Sequence, residues 1–203
     1  PAGPDRESVL ARYPDPLRAL AEARIPAILL RRAFDPARCE DLIQRFIDRG
    51  LMPDPAEHRQ GSDPRTRVDI GTSLGNMGQD QEQFLAHAAG THELFRTLFD
   101  GFDDPVRLIY ETLQRLAGEK HVAVAHEPDG RRYGPAIFRV HYGGHTYKPH
   151  IDHVVLREKR FAYGVSRFEC QFAGVLCLRN AMADGRGTQA ILHRCLWTPE
   201  VQP

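Results

Sequence analysis

The chain has 203 residues, with 27 basic and 27 acidic side chains and a formal net charge of zero. That balance supplies no basic footprint for nucleic acid or an anionic membrane, and the length fits one domain with a sizeable core. No stretch nears the roughly 20 apolar residues of a membrane span, and Cys39, Cys170, Cys177 and Cys195, without Cys-x-x-Cys spacing, read as buried thiols in a reducing cytoplasm.

The first residues, Pro1, Ala2, Gly3 and Pro4, show no signal-peptide pattern, and the absent initiator Met makes a trimmed chain the expectation. Asp15 as cap and Pro16 at the first position predict a short helix over residues 16–24. Residues 27–34 are an apolar run with strand character. Asp35 and Pro36 then open a second helix ending at Gly50, with Cys39, Leu42, Ile43, Phe46 and Ile47 on one face. Residues 51–66 are rich in Pro, Asp, Gly and Arg and read as a loop. Residues 68–74 fit a short strand. Helices follow at 80–99 and 104–117, the latter with Val106, Ile109, Tyr110, Leu113 and Leu116 along one face.

From His121 the period shifts from 3.6 to 2, or to short apolar runs bounded by turns. Strands are expected at 122–125, 136–142, 148–154, 168–178 and 188–197, with Gly143 and Gly144 as a tight connection and residues 180–187 as a hairpin-type turn. Cys170 and Cys177 fall in a run that reads as core. Helices followed by short strands predict an α+β chain in which helices pack against an antiparallel sheet or jelly roll. The whole of 1–203 reads as a single domain, with mainly helical support over 1–118 and a jelly-roll core over 119–203.

The most informative stretch runs from Arg139 to Asp152. It ends in His150 and Asp152, one imidazole and one carboxylate two residues apart. On a strand, side chains at i and i+2 share a face. Such a pair supplies two of the three ligands of the 2-His-1-carboxylate facial triad that holds non-heme Fe(II). The plain alternative is that His150 ends a strand and Asp152 makes an ordinary turn bond. His141, His145 and His153 flank the motif and read as surface or substrate-edge residues. Arg65, Arg67 and Arg139 are candidates to meet a substrate carboxylate, or are simply solvated.

Tyr142, the Gly143–Gly144 turn, Tyr147, His150 and Asp152 together resemble the iron-binding region of Fe(II)/2-oxoglutarate-dependent dioxygenases, nearest to the prolyl-hydroxylase and phytanoyl-CoA-dioxygenase types. Residues 172–180, followed by Gly185, Arg186, Gly187 and Thr188, resemble the next two strands of that fold. The resemblance covers about residues 120–200 and implies a double-stranded β-helix (a cupin-like jelly roll) buttressed by N-terminal helices. It implies His150 and Asp152 as ligands of Fe(II) and catalytic residues, and Tyr142 as a cosubstrate-binding residue unless it is a core tyrosine. It further implies 2-oxoglutarate as cosubstrate, O2 as oxidant and ascorbate as a stimulant.

The family's second His, and the Arg or Lys that holds the far carboxylate of 2-oxoglutarate, have no counterpart here. His193 is the one histidine after His153, and by strand order it matches the strand before the distal one, so it is not the favoured third ligand. Both missing groups are expected beyond residue 203. The resemblance implies hydroxylation of a small molecule or amino-acid derivative, with desaturation or ring closure using the same site. Asp152 argues against a halogenase of this fold, in which Gly or Ala replaces the carboxylate to admit halide. The alternative is a catalytically incomplete jelly roll that binds a metal or ligand without turnover. Neither reading calls for nucleic acid or a membrane as partner.

Overall fold

A computed structural model describes residues 6–55, 67–142, 147–180, 182–183, 186–187, 189–193 and 198. In chain order the elements are α1 (Arg6–Arg12), α2 (Pro16–Ala21), α3 (Pro36–Asp48), β1 (Arg67–Gly71), α4 (Gln81–Leu98), α5 (Pro105–Ala117), β2 (Ile137–His141), β3 (Met182–Ala183) and β4 (Arg186–Gly187). The chain divides into two compact units. One takes in Pro1–Glu40, Asp104–Ala123 and Gly174–Val201, and the other Asp41–Asp103, Val124–Ala173 and Gln202–Pro203. Each therefore draws on both the helical and the strand-rich halves of the sequence. No helix among the described residues is long and apolar enough to cross a membrane.

The helices start where acidic side chains can satisfy their first amides. Asp15 accepts from Arg18 N at 3.0 Å, Asp35 from Ala37 N at 2.9 Å, and Asp80 from Gln83 N at 3.0 Å. Asp104 accepts from both Val106 N at 2.8 Å and Arg107 N at 3.1 Å. These groups fill donors that a helix leaves unpaired at its N-terminus and place a negative charge at its positive end. α3 buries Cys39, Leu42 and Phe46, three positions of the face read from its spacing.

In the first unit α2 packs on α5. Lys120 pairs with Asp15 at 3.0 Å. Gln114 closes the end of α5: its amide donates to the Lys120 carbonyl at 2.8 Å, and its carbonyl accepts from Val122 N at 3.0 Å. Arg179 pairs with Glu40. The expected strand at 27–34 does not form. Arg32 sits in the left-handed region at φ 54°, which breaks an extended run, and Leu29 points into solvent. Where a hairpin-type turn is expected at 180–187, β3 and β4 pair antiparallel, Met182 with Gly187 and Ala183 with Arg186.

The second unit is built on the antiparallel pair β1 and β2, in register Arg67↔His141, Val68↔Val140, Asp69↔Arg139, Ile70↔Phe138 and Gly71↔Ile137. Alternation sorts the side chains. Val68, Ile70, Phe138 and Val140 lie on one face, and Arg67, Asp69, Arg139 and His141 on the other. Phe138 meets Phe46 at 5.1 Å, Phe95 at 5.5 Å and Phe99 at 6.1 Å between ring centroids, in edge-on or tilted arrangements. A second aromatic group packs Phe84 against Tyr133 at 5.4 Å and Tyr163 at 5.6 Å. Gly71 has φ 108°, and a Cβ there would stand 2.6 Å from the Ala136 carbonyl oxygen, so the ribbon closes only on glycine.

Residues 122–125, 148–154, 168–178 and 189–193 carry no ladder pairing among the described residues. A bridge between His126 and Arg132 and a bond from Tyr133 N to the Ala125 carbonyl at 2.9 Å close a loop instead. Cys170 and Cys177, expected in the core, are exposed, in a segment that carries no ladder pairing among the described residues. Cys39 is buried, and burial pushes its thiol pKa up.

Phe46 is 2% exposed and Phe161 67%. Phe46→Ala should therefore lose about 3–5 kcal/mol of stability, and Phe161→Ala less than about 0.5 kcal/mol. Urea unfolding of both variants checks the contrast, and equal midpoints would contradict this packing.

Candidate metal centre and its surroundings

The candidate centre follows directly from β2. The strand delivers Arg139 and His141 to the polar face of the ribbon, and the chain then passes through residues 143–146, outside the described set, to Tyr147. Tyr147 gathers its neighbours. Its hydroxyl meets His141 Nε2 at 3.3 Å. Its ring stands edge-on to His141 at 5.4 Å and tilted against His150 at 5.4 Å.

His150 is oriented locally. Its Nδ1 donates to the Lys148 carbonyl at 2.7 Å, a bond that a carbonyl can only accept. Nε2 is left facing Asp152 Oδ1 at 3.9 Å. Asp152 Oδ1 also accepts from Arg157 Nη1 at 3.2 Å, and the same nitrogen lies 3.6 Å from Glu158 Oε1. The two side chains thus converge as their spacing predicts, but not on a strand: the segment is irregular and runs straight into a turn.

That turn is firmly anchored. His153 Nδ1 accepts from Val155 N and Leu156 N, each at 3.1 Å, so His153 caps the turn. Val154 is buried, and its amide donates to Gln171 Oε1 at 2.9 Å. Arg160 ends the turn and is 3% exposed. Its guanidinium donates to the carbonyls of Gly78 at 2.8 Å, Met77 at 2.7 Å and Leu74 at 2.5 Å, and to the Tyr163 hydroxyl at 2.9 Å. Its Nε is buried with no hydrogen-bond partner. Nearby, the Glu127 carboxylate is also buried; it accepts from the Tyr133 hydroxyl and from Gly164 N at 3.0 and 3.1 Å. Burial, and then this carboxylate, push the Tyr133 pKa well above the phenol range. The sequence offered no sign of Arg160 or Glu127; each is one charged residue among many.

The Tyr142 hydroxyl donates to the Pro53 carbonyl at 3.1 Å. His193 is exposed and belongs to the other unit. His145 and Arg65 lie outside the described residues, and no group of three metal-binding side chains occurs among those that are described.

The donor set suits a non-heme iron: one imidazole nitrogen and one carboxylate oxygen, the imidazole steered by a bond from its other nitrogen to a backbone carbonyl. Neighbouring ligands with bonds near 2.1 Å stand about 3 Å apart; His150 Nε2 and Asp152 Oδ1 stand 3.9 Å apart.

His150 and Asp152 thus bring together one imidazole and one carboxylate, two donors of the kinds a mononuclear non-heme iron takes. A family model described as carrier-protein-independent halogenase WelO5 matches residues 6–200, and the chain belongs to that family. It is thus of the Fe(II)- and 2-oxoglutarate-dependent, halogenase-type oxygenases, which use O2. No curated protein and no solved structure matches the chain.

Replacing Arg160 by Met removes the donor to three backbone carbonyls while keeping the aliphatic stem. Buried acceptors left bare should lower stability by about 2–3 kcal/mol. Chemical denaturation of Arg160→Met measures the loss, and a wild-type midpoint would show that these carbonyls find other donors.

Proposed function

We propose that the protein is a hydroxylating Fe(II)/2-oxoglutarate-dependent oxygenase acting on a small molecule, within a family named for halogenation. Asp152 is the observation that carries this reading. Halogenases of this fold leave that position to Gly or Ala, so that halide can occupy the open coordination site. Here a carboxylate stands there, 3.9 Å from His150 Nε2. A negatively charged ligand on the metal leaves no place for a second anion at the same position.

In this reading His150 and Asp152 hold Fe(II), and a second His supplies the third ligand of the facial triad. The metal, 2-oxoglutarate and O2 supply the oxidising power that removes a substrate hydrogen, with succinate and carbon dioxide as coproducts. The chain's own part is to orient. Lys148 fixes the His150 ring through Nδ1, Tyr147 flanks that ring, and Arg157 holds Asp152 near its ligating position. Tyr142 is the cosubstrate-side residue. It has one hydroxyl proton, so binding 2-oxoglutarate means releasing the Pro53 carbonyl. The fold that accommodates this site is a double-stranded β-helix buttressed by the N-terminal helices, in a cytoplasmic protein. Ascorbate supports turnover by keeping the iron reduced.

Two measurements test the reading. His150→Ala should abolish succinate formation and lower Fe(II) affinity by at least about 10- to 100-fold, the range seen when a metal's supporting groups are disturbed, while the far-UV dichroism stays unchanged. Asp152→Gly should stop hydroxylation and make the absorption band of the anaerobic Fe(II)–2-oxoglutarate complex respond to added chloride or bromide. A wild-type protein whose band already responds to halide, and which yields halogenated product, would overturn hydroxylation in favour of the family's namesake reaction.

A further inference from the structure

The polar face of the β1–β2 ribbon has an unbalanced charge that the oxygenase reading does not use. Two guanidinium groups share one carboxylate. Arg67 Nη2 lies 2.7 Å from Asp69 Oδ2, whereas Arg139 Nε is 3.9 Å from Asp69 Oδ1, beyond hydrogen-bonding distance. Arg139 instead donates from Nη2 to the neutral Ser73 hydroxyl at 3.2 Å. Oδ1 of Asp69 is buried without a partner. The side chain of Asp69 is only 16% exposed, while those of Arg67 and Arg139 are 32% and 35% exposed. The carboxylate is therefore the inner, fixed element, and the two cations are the outer, reachable ones.

We infer that Arg67 and Arg139 form a clamp for one carboxylate group of a small-molecule ligand lying between the ribbon and His150. The net charge of the three groups is a single positive one, which matches a carboxylate better than a doubly charged phosphate. Guanidinium forks bind carboxylates in a planar, two-point manner, and Asp69 serves as the pivot that sets their spacing. The register places Arg139 across from Asp69 and Arg67 across from His141. Tyr147 then joins the clamp to the candidate centre: its hydroxyl meets His141, the cross-strand partner of Arg67, at 3.3 Å, and its ring rests against His150. A ligand anchored by its acid group at the ribbon would project the rest of its frame past Tyr147 toward Asp152. This deepens the proposed function and rests on it for the reacting centre, naming a carboxylate as the handle by which the ligand is held.

Calorimetric titration of the metal-free protein with phenylacetate and with phenylacetamide tests the clamp apart from turnover. The acid should bind and the amide should not. Arg139→Gln and Arg67→Gln should each weaken the acid by about tenfold to a hundredfold, the loss of one charge-assisted contact. Arg139→Lys should recover part of that loss, and Arg96→Gln, far along α4 on an exposed pair with Glu93, should change nothing. Should Arg139→Gln unfold the ribbon, as unfolding midpoints would reveal, Arg67→Gln carries the same expectation. Competition with 2-oxoglutarate separates the sources: displacement of phenylacetate assigns the clamp to the cosubstrate's acid group, and no displacement assigns it to the primary substrate's. Equal binding of acid and amide, no saturable binding of the acid, or acid affinity untouched by both variants would overturn the clamp. Loss of turnover in His150→Ala bears only on the metal centre.

Discussion

A buried cation held by carbonyl dipoles organises the second unit. Arg160 carries a full charge at 3% exposure, with no ion-pairing carboxylate among the described residues and four oxygen acceptors around its guanidinium: Leu74, Met77 and Gly78 carbonyls and the Tyr163 hydroxyl. Taking a charge out of water is costly, and it is tolerated only where hydrogen bonds replace the lost hydration. The three carbonyls come from a loop more than 80 residues away in sequence. The loop between β1 and α4 is thereby tied to the turn that follows Asp152. Glu127 is the matching case of opposite sign, a buried carboxylate met by a phenol and a backbone amide. Between them, these groups fix the irregular segment that no strand ladder holds.

The ribbon supplies the second constraint. Because strand side chains alternate, one register decides two surfaces at once. Ile70 and Phe138 face the aromatic group of Phe46, Phe95 and Phe99, and the same pairing sends Asp69 and Arg139 to the opposite side. A slip of one residue would bury guanidinium groups among phenyl rings. Hydrophobic packing on one face is thus what holds the polar face in position, and Gly71 lets the two strands approach closely enough for it.

The parts legible in the sequence were those with local causes. Asp15 and Asp35 each announce a helix and each caps one. The His150–Asp152 spacing announced two convergent side chains, and they do converge, though through a turn anchored by Val154 rather than along a ladder. Residues 27–34 misled because apolar composition alone does not supply a pairing partner, and Arg32 takes a left-handed conformation there. Arg160, Glu127 and the sharing of Asp69 by two arginines were illegible for another reason. Their partners lie tens of residues away, and only the folded register brings them together. Membership of the WelO5 family is likewise a property of the whole stretch from 6 to 200, not of one motif.

His150 and His153 stand three positions apart in one short segment, yet their imidazoles are locked in opposite tautomers. At His150 the proton sits on Nδ1, because that atom donates to the Lys148 carbonyl. At His153 it sits on Nε2, because Nδ1 accepts from two backbone amides. A transition metal needs a lone pair, and the outward nitrogen of His150 offers one while that of His153 offers a hydrogen. A metal arriving at this segment therefore meets one competent imidazole and one decoy already disarmed by the turn it caps. A metal at Nε2 of His153 would have to displace that hydrogen, a cost that the bare Nε2 of His150 does not carry.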